Sequence, residues 1–185
     1  MKWQSVAMII SLLIATVLIA GCTEEEILPP RDSIPSDPVL PGQQLVLAGD
    51  VTGAGLERGA IDTVDIPVAL APGVKPVDIE KTIIIFADTI KTETLIPVEG
   101  YWGDPPQGSW GIVGATNQVG SQNNRLEDKE QIVIRINPRS YIPAKRMIIV
   151  VIRSPPGTNP LTIRRVAPST VTAQGNIFTS PGTVS

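Results

Sequence analysis

Two groups of carboxylates are the first residues of this 185-residue chain that could do chemistry: Asp62 with Asp65, and Glu127 with Asp128 and Glu130. Paired carboxylates on either side of a bond are the apparatus of glycoside hydrolysis, one acting as acid and the other as base or nucleophile. Asn123, Asn124, Glu127 and Asp128 offer a second chemistry, since oxygen ligands suit a calcium ion, although their spacing is not that of an EF-hand loop. No histidine occurs, and the only thiol is that of Cys22. A nucleophilic serine or threonine would therefore need lysine or a carboxylate as its base, and neither Ser-x-x-Lys nor Gly-x-Ser-x-Gly is present. Asp65 falls on the polar side of an alternating segment, and residues 127–130 read as a loop entering a strand. Both are places where a hydrated carboxylate needs no catalytic explanation. The expectation is a chain that is not an enzyme, with no catalytic residue, no metal ligand set and no cofactor. With 18 Asp and Glu against 15 Lys and Arg, the formal charge is −3. That balance argues against nucleic acid as a partner, because phosphate binding needs a net basic face.

Cys22 ends an apolar run. Lys2 supplies a short positive start, Val6 to Ala20 is apolar apart from Ser11 and Thr16, and the run closes on Ile19-Ala20-Gly21-Cys22. This ending resembles a lipobox, the cleavage-and-lipidation signal of prokaryotic lipoproteins. On that resemblance Ile19, Ala20 and Gly21 form the cleavage site and the Cys22 thiol carries the lipid. The alternative is an uncleaved membrane helix, but Val6 to Gly21 falls short of the about 20 residues that a span needs. Either reading puts the remainder outside the membrane and tied to it, an extracytoplasmic protein at the cell surface. Residues 1–21 are read as signal or anchor. Residues 22–42 are then an acidic, proline-rich tether: Glu24-Glu25-Glu26 is followed by Pro29, Pro30, Pro35, Pro38 and Pro41, which fix φ and remove amide donors.

The elements that would position any site begin at Gln43. Val64, Ile66, Val68 and Leu70 alternate with more polar neighbours, as do Ile132, Ile134 and Ile136, which is the period of a strand with one buried face. Ile83 to Phe86 and Met147 to Ile152 are apolar at every position and predict central strands covered on both sides. Weaker strands are predicted at 43–51, 92–98, 109–114, 160–166 and 170–178. Turn chemistry falls between them at Ala71-Pro72-Gly73, Gly103-Asp104-Pro105-Pro106 and Ser154-Pro155-Pro156-Gly157. No helical period follows the apolar run. The fold class expected is all-β, an immunoglobulin-like sandwich of about 8–9 strands over residues 43–178, with 179–185 as a flexible tail and a barrel as the alternative.

Three aromatics stand among turn residues: Tyr101 and Trp102 in Gly100-Tyr101-Trp102-Gly103, and Trp110 in Ser109-Trp110-Gly111. They are the candidate protein contacts, because aromatic side chains anchor interfaces. Equally, such residues plug the open end of a sandwich. Arg146, Arg153, Arg164 and Arg165 lie near strand ends, where solvent exposure or an acidic neighbour is expected.

Taken in order, several stretches resemble the outer domain of archaellins, the archaeal flagellins built on a type IV pilin plan. They are Gln44 to Gly53, Ile61 to Leu70, Pro76-Val77-Asp78-Ile79-Glu80-Lys81-Thr82, Leu126 to Glu130, Ile142-Pro143-Ala144, and Leu161-Thr162-Ile163-Arg164-Arg165 before Ala167-Pro168. The resemblance covers roughly Gln43 to Phe178. It implies a β-sandwich that works by subunit contact rather than by catalysis, in motility or surface structure. The N-terminus departs from the family: no Lys/Arg-Gly leader site precedes the apolar run, and Cys22, the acidic triplet and Pro29-Pro30 interrupt the long helix that an archaellin packs into its filament. No Asn-x-Ser/Thr sequon is present either. The function expected is a non-enzymatic structural or interaction protein of an archaeal cell surface, membrane-tethered, with other archaellum or surface-layer subunits as partners. The alternative is an extracellular lipoprotein module that binds a solute or polysaccharide.

Overall fold

The computed structural model describes residues 39–182, apart from 57–58, 119 and 155–156. All of them belong to the second of two compact units, Ile34–Ser185. The lipobox residues Ile19, Ala20, Gly21 and Cys22, and the tether as far as Pro38, lie outside the described residues, as do the two central prolines of the 154–157 turn and residues 183–185.

The strands in chain order are β1 (Leu45–Leu47), β2 (Thr52–Leu56), β3 (Ala60–Leu70), β4 (Val77–Asp78), β5 (Ile83–Asp88), β6 (Thr92–Trp102), β7 (Ser109–Thr116), β8 (Arg125–Leu126), β9 (Gln131–Asn137), β10 (Ile142–Pro143), β11 (Met147–Arg153), β12 (Leu161–Val166) and β13 (Asn176–Ile177). A 3₁₀ turn at Ile79–Lys81 is the one helical element among the described residues. One long sheet runs β12-β11-β5-β6-β7-β9-β3-β2-β13, with β1 and β10 also on β3, while β4 and β8 form a separate ribbon.

β6 makes this sheet a sandwich. Its first half pairs antiparallel with β5, Leu95 opposite Ile84, and its second half runs parallel to β7, Ile96 opposite Ser109 and Trp102 opposite Ile112. The strand thus leaves one layer and enters the other. β12, β11, β5 and the start of β6 form one layer, and β7, β9, β3, β2 and β13 form the second. Alternation then does the packing: Ile84, Phe86, Ile148 and Val150 from the first layer and Val64, Ile66, Ile134 and Ile136 from the second join one buried cluster. The all-β sandwich read from the sequence is the fold observed. Its sheet edges are latched as well. Val166 and Thr179 exchange two backbone bonds of 2.8 and 3.0 Å, past the expected end at Phe178, and Asn159 donates to the carbonyl of Gly42 at 3.2 Å.

Two expectations change. Among the described residues the strands number 13 rather than 8–9. The additions are the two-residue β4, β8 and β10 and the glycine-rich β2, Thr-Gly-Ala-Gly-Leu, which shows no side-chain alternation. Glycine is required there by close approach: a Cβ on Gly53 would stand 2.8 Å from Ile61 Cγ2, and one on Gly55 would strike the Thr172 carbonyl. Second, β5 and β11 lie inside the sheet but are covered on one face only. Ile83 is 52% exposed and Met147 40%, and Ile85, Ile149 and Val151 are half-buried. No layer of the described chain packs against that side.

Candidate contact surfaces

The three aromatics separate into different roles. Gly100 and Tyr101 both take left-handed backbone angles, φ 70° and 69°, and the register of β6 on β7 shifts between Pro97 and Trp102. The chain bulges here. It is then drawn back when the Gly103 amide donates to the Ile112 carbonyl at 2.9 Å. Gly111 allows the approach, since a Cβ there would strike the Gly103 carbonyl. Trp110, on β7 beneath this bulge, is fully buried, with the Tyr101 ring 6.0 Å away and tilted by 50°. Of the roles open to Trp110 from sequence, burial leaves only the plug: it belongs to the core and presents nothing to a partner. Tyr101 is half-buried against the same core.

Trp102, half-buried against the same core, also reaches a polar partner. Its indole N–H donates to Asn124 Oδ1 at 3.0 Å, and the Asn124 amide donates in turn to Glu80 Oε1 at 2.9 Å. The Asn124 carbonyl accepts the Ile79 amide at 2.8 Å. A half-buried tryptophan, the 3₁₀ turn and the loop before β8 are joined by these bonds. Beside them lies an open depression of about 520 Å³ lined by Lys75, Asp78, Glu80, Lys81, Asn124 and Arg125, among others. Asp78 caps the 3₁₀ turn by accepting from the Glu80 amide at 3.1 Å and pairs with Lys81 at 3.1 Å. Lys75 and Arg125 make no ion pair among the described residues.

Three of the carboxylates singled out for chemistry, Asp62, Asp65 and Glu130, are engaged elsewhere. Asp62 accepts from the Thr63 amide at 2.9 Å. Both oxygens of Asp65 accept from Arg135, at 2.6 Å from Nε and 2.7 Å from Nη2, and Asp104 takes Nη1 at 2.5 Å. The Asp65 hydrogen bonds, working against burial and aided by Asp104, hold the Arg135 guanidinium charged even more firmly than an ordinary arginine. Sequence reasoning missed Arg135. Its signal was there, since Asp65 and Arg135 both lie on the polar side of alternating strands, but the register that sets them opposite each other is not readable from one chain. In the 127–130 group, buried Glu130 accepts from the Glu127 amide at 2.9 Å, closing its own turn. Asn123 caps the Arg125 amide at 2.8 Å. No group of three or more His, Cys, Asp or Glu side chains converges among the described residues.

The arginines differ too. Arg165 is buried rather than exposed, and donates to the Arg164 carbonyl at 2.8 Å. Arg146 donates to the Thr89 hydroxyl. Arg153 and Arg164 are exposed and make no ion pair among the described residues.

No protein-family model matches the chain, and no curated protein does. Solved structures do. The archaeal flagellin FlaB1 from Methanocaldococcus jannaschii superposes with a TM-score of 0.56 at 16% identity, over 74% of this chain and 97% of that one. The archaeal flagellum of Methanospirillum hungatei strain JF1 gives 0.52 at 17% identity, over 74% and 71%. The archaellum periplasmic stator protein FlaG from Sulfolobus acidocaldarius gives 0.46 at 13%, over 65% and 97%. The likeness is one of fold, and it agrees with the archaellin-type outer domain that the sequence resembles.

Proposed function

We propose that this chain is a non-enzymatic structural protein of an archaeal cell surface, which holds an archaellin-type β-domain outside the membrane and contacts the archaellum or the surface layer. The observation that carries the reading is the shared fold, with 97% of the Methanocaldococcus jannaschii flagellin covered by this one domain. The hydrogen bonding supports it, because three of the carboxylates that could have done chemistry, Asp62, Asp65 and Glu130, are engaged by backbone amides and by Arg135. On this reading residues 1–21 are the signal, Cys22 carries the lipid, 22–42 is the tether and the domain that follows meets the partner. Two fractions of the host test it: detergent-washed envelopes and sheared filaments. The reading expects the full chain in one of them, and recovery only in the detergent-soluble fraction would overturn it. Intact mass tests the anchor, expecting a chain that begins at lipid-bearing Cys22, while an unmodified chain still beginning at Met1 would contradict it.

A second reading has its own observation. The polar depression of about 520 Å³ beside Asn124 and Glu80 is wide enough for a sugar ring or small solute. A module of that kind would bind saccharides in calorimetry and lose the binding with Glu80→Ala and Arg125→Ala. Binding unchanged by both substitutions would place the ligand elsewhere.

A further inference from the structure

The two outer faces of the sandwich are built from opposite materials. On the outside of β3 and β9, Asp65 and Arg135 face each other in register and pair. On the outside of the other layer, Thr162, Val151, Ile85 and Thr94 form one row across β12, β11, β5 and β6. Arg164, Ile149, Ala87 and Thr92 form the next, and Arg153 stands opposite Ile83. The middle two strands present only aliphatic side chains in these rows. Ile96, 59% exposed on β6, adds to that surface. Threonine and arginine make the border, and no carboxylate stands in either row. With strands about 4.8 Å apart and outward positions about 7 Å apart, four strands by three positions cover roughly 400 Å², and the aliphatic middle roughly half of that. The whole face is about half of one partner's share of a standard interface, with an apolar centre and a polar border.

We infer that this face docks a second protein whose own apolar surface is bordered by Asp or Glu. The inference deepens the structural reading and rests on it. Charge complementarity selects the occupant. Arg153 and Arg164 flank the aliphatic rows, are exposed, and have no ion-pair partner among the described residues. Apposed to a second copy, these rows offer the arginines only threonine, aliphatic side chains or more arginine. An anionic membrane would satisfy the charge, but two arginines fall short of the basic cluster that holds a protein on such a surface, and the chain as a whole is negative. A partner protein with carboxylates around an apolar centre satisfies both, and an apolar core with a polar rim is the ordinary anatomy of an interface.

The test is photo-crosslinking of the full chain in its host cell, with a photoreactive phenylalanine analogue in place of Thr94 or Thr162, and in place of Gln131 on the other face as control. Adducts are mapped by mass spectrometry. Expected are adducts from Thr94 and Thr162, not from Gln131, to one peptide of another protein that carries Asp or Glu beside apolar residues. Arg153→Glu with Arg164→Glu should lower their yield about tenfold, since facing like charges costs well over the 1.4 kcal/mol that a factor of ten represents. Adducts to this chain's own peptides, adducts to lipid, equal adducts from all three positions, or none from Thr94 and Thr162 would each overturn the inference. If the chain remains with envelopes or filaments while the face gives no adduct, the docking face fails and the structural reading stands. If the face gives the expected adduct but the chain is absent from both fractions, the structural reading fails instead.

Discussion

The outer faces of the two layers answer the same problem, a sheet with one side on the core, in different ways. The β3–β9 face closes its polar groups among themselves, Asp65 and Asp104 around Arg135. The β5–β11 face leaves aliphatic side chains half-covered and its arginines without ion pairs. Half-buried β-branched residues on an outward face are unremarkable singly. In adjoining rows across neighbouring strands they describe a surface finished by something other than this domain. Stability and contact are thereby divided between the layers: substitutions on the first face should act on folding, and those on the second on association.

The largest effect expected lies beneath the first face. Trp110→Ala removes a fully buried side chain and should cost about 3–5 kcal/mol, a large share of a domain's stability. Denaturant unfolding measures it, and a loss below about 1 kcal/mol would mean that Trp110 is not a core plug. Next comes the ion pair. Arg135→Ala leaves Asp65 partly buried without its partner and should cost about 1–2 kcal/mol while leaving association with envelopes or filaments unchanged. On the second face the balance reverses. Ile85→Thr with Val151→Thr should change stability by less than about 1 kcal/mol, because threonine suits an outward strand position, yet should weaken association. A drop in stability without a change in association would erase the division between the faces.

The smallest effect concerns the β5–β6 hairpin. Burial pushes Asp88 up, but the amides of Ile90 and Lys91, with the charges of Arg146 and Lys91, outweigh it and hold the carboxyl below its ordinary 3.8. A lowered carboxyl contributes stability that is full above 3.8 and is lost as pH falls through the lower folded value. Asp88→Asn should therefore lose a small contribution at neutral pH and flatten the acid-side slope, the two proteins converging in stability below the folded value. A stability difference that persists unchanged into acid would refute that assignment.

The sandwich was legible from the sequence because its inner positions alternate: Val64, Ile66 and Val68 announce their strand without a partner. β2 was not, since its glycines carry close contact rather than hydrophobic pattern. The apolar runs of β5 and β11 were legible as strands, but cover on their second face was inferred from composition, and composition does not say whether the cover lies in the same chain. Trp102 and Trp110 look alike in sequence, both among glycines near a turn. Only the bulge at Gly100 and Tyr101 decides that one indole points into the core and the other reaches Asn124. Register, for its part, is a property of two strands at once, so the Asp65–Arg135 pair emerged only with the fold.

The central claim is that this domain works by contact through the face it leaves uncovered. Its most direct test is the fraction of full-length chain retained by detergent-washed envelopes and filaments, where a lipid anchor alone no longer holds it. Arg153→Glu with Arg164→Glu is compared with the pair-preserving swap Asp65→Arg with Arg135→Asp. The expected result is about a tenfold loss of retention for the first at unchanged thermal stability, and retention at the wild-type level for the second. Equal retention of both proteins, or loss confined to the Asp65–Arg135 swap, would contradict the account.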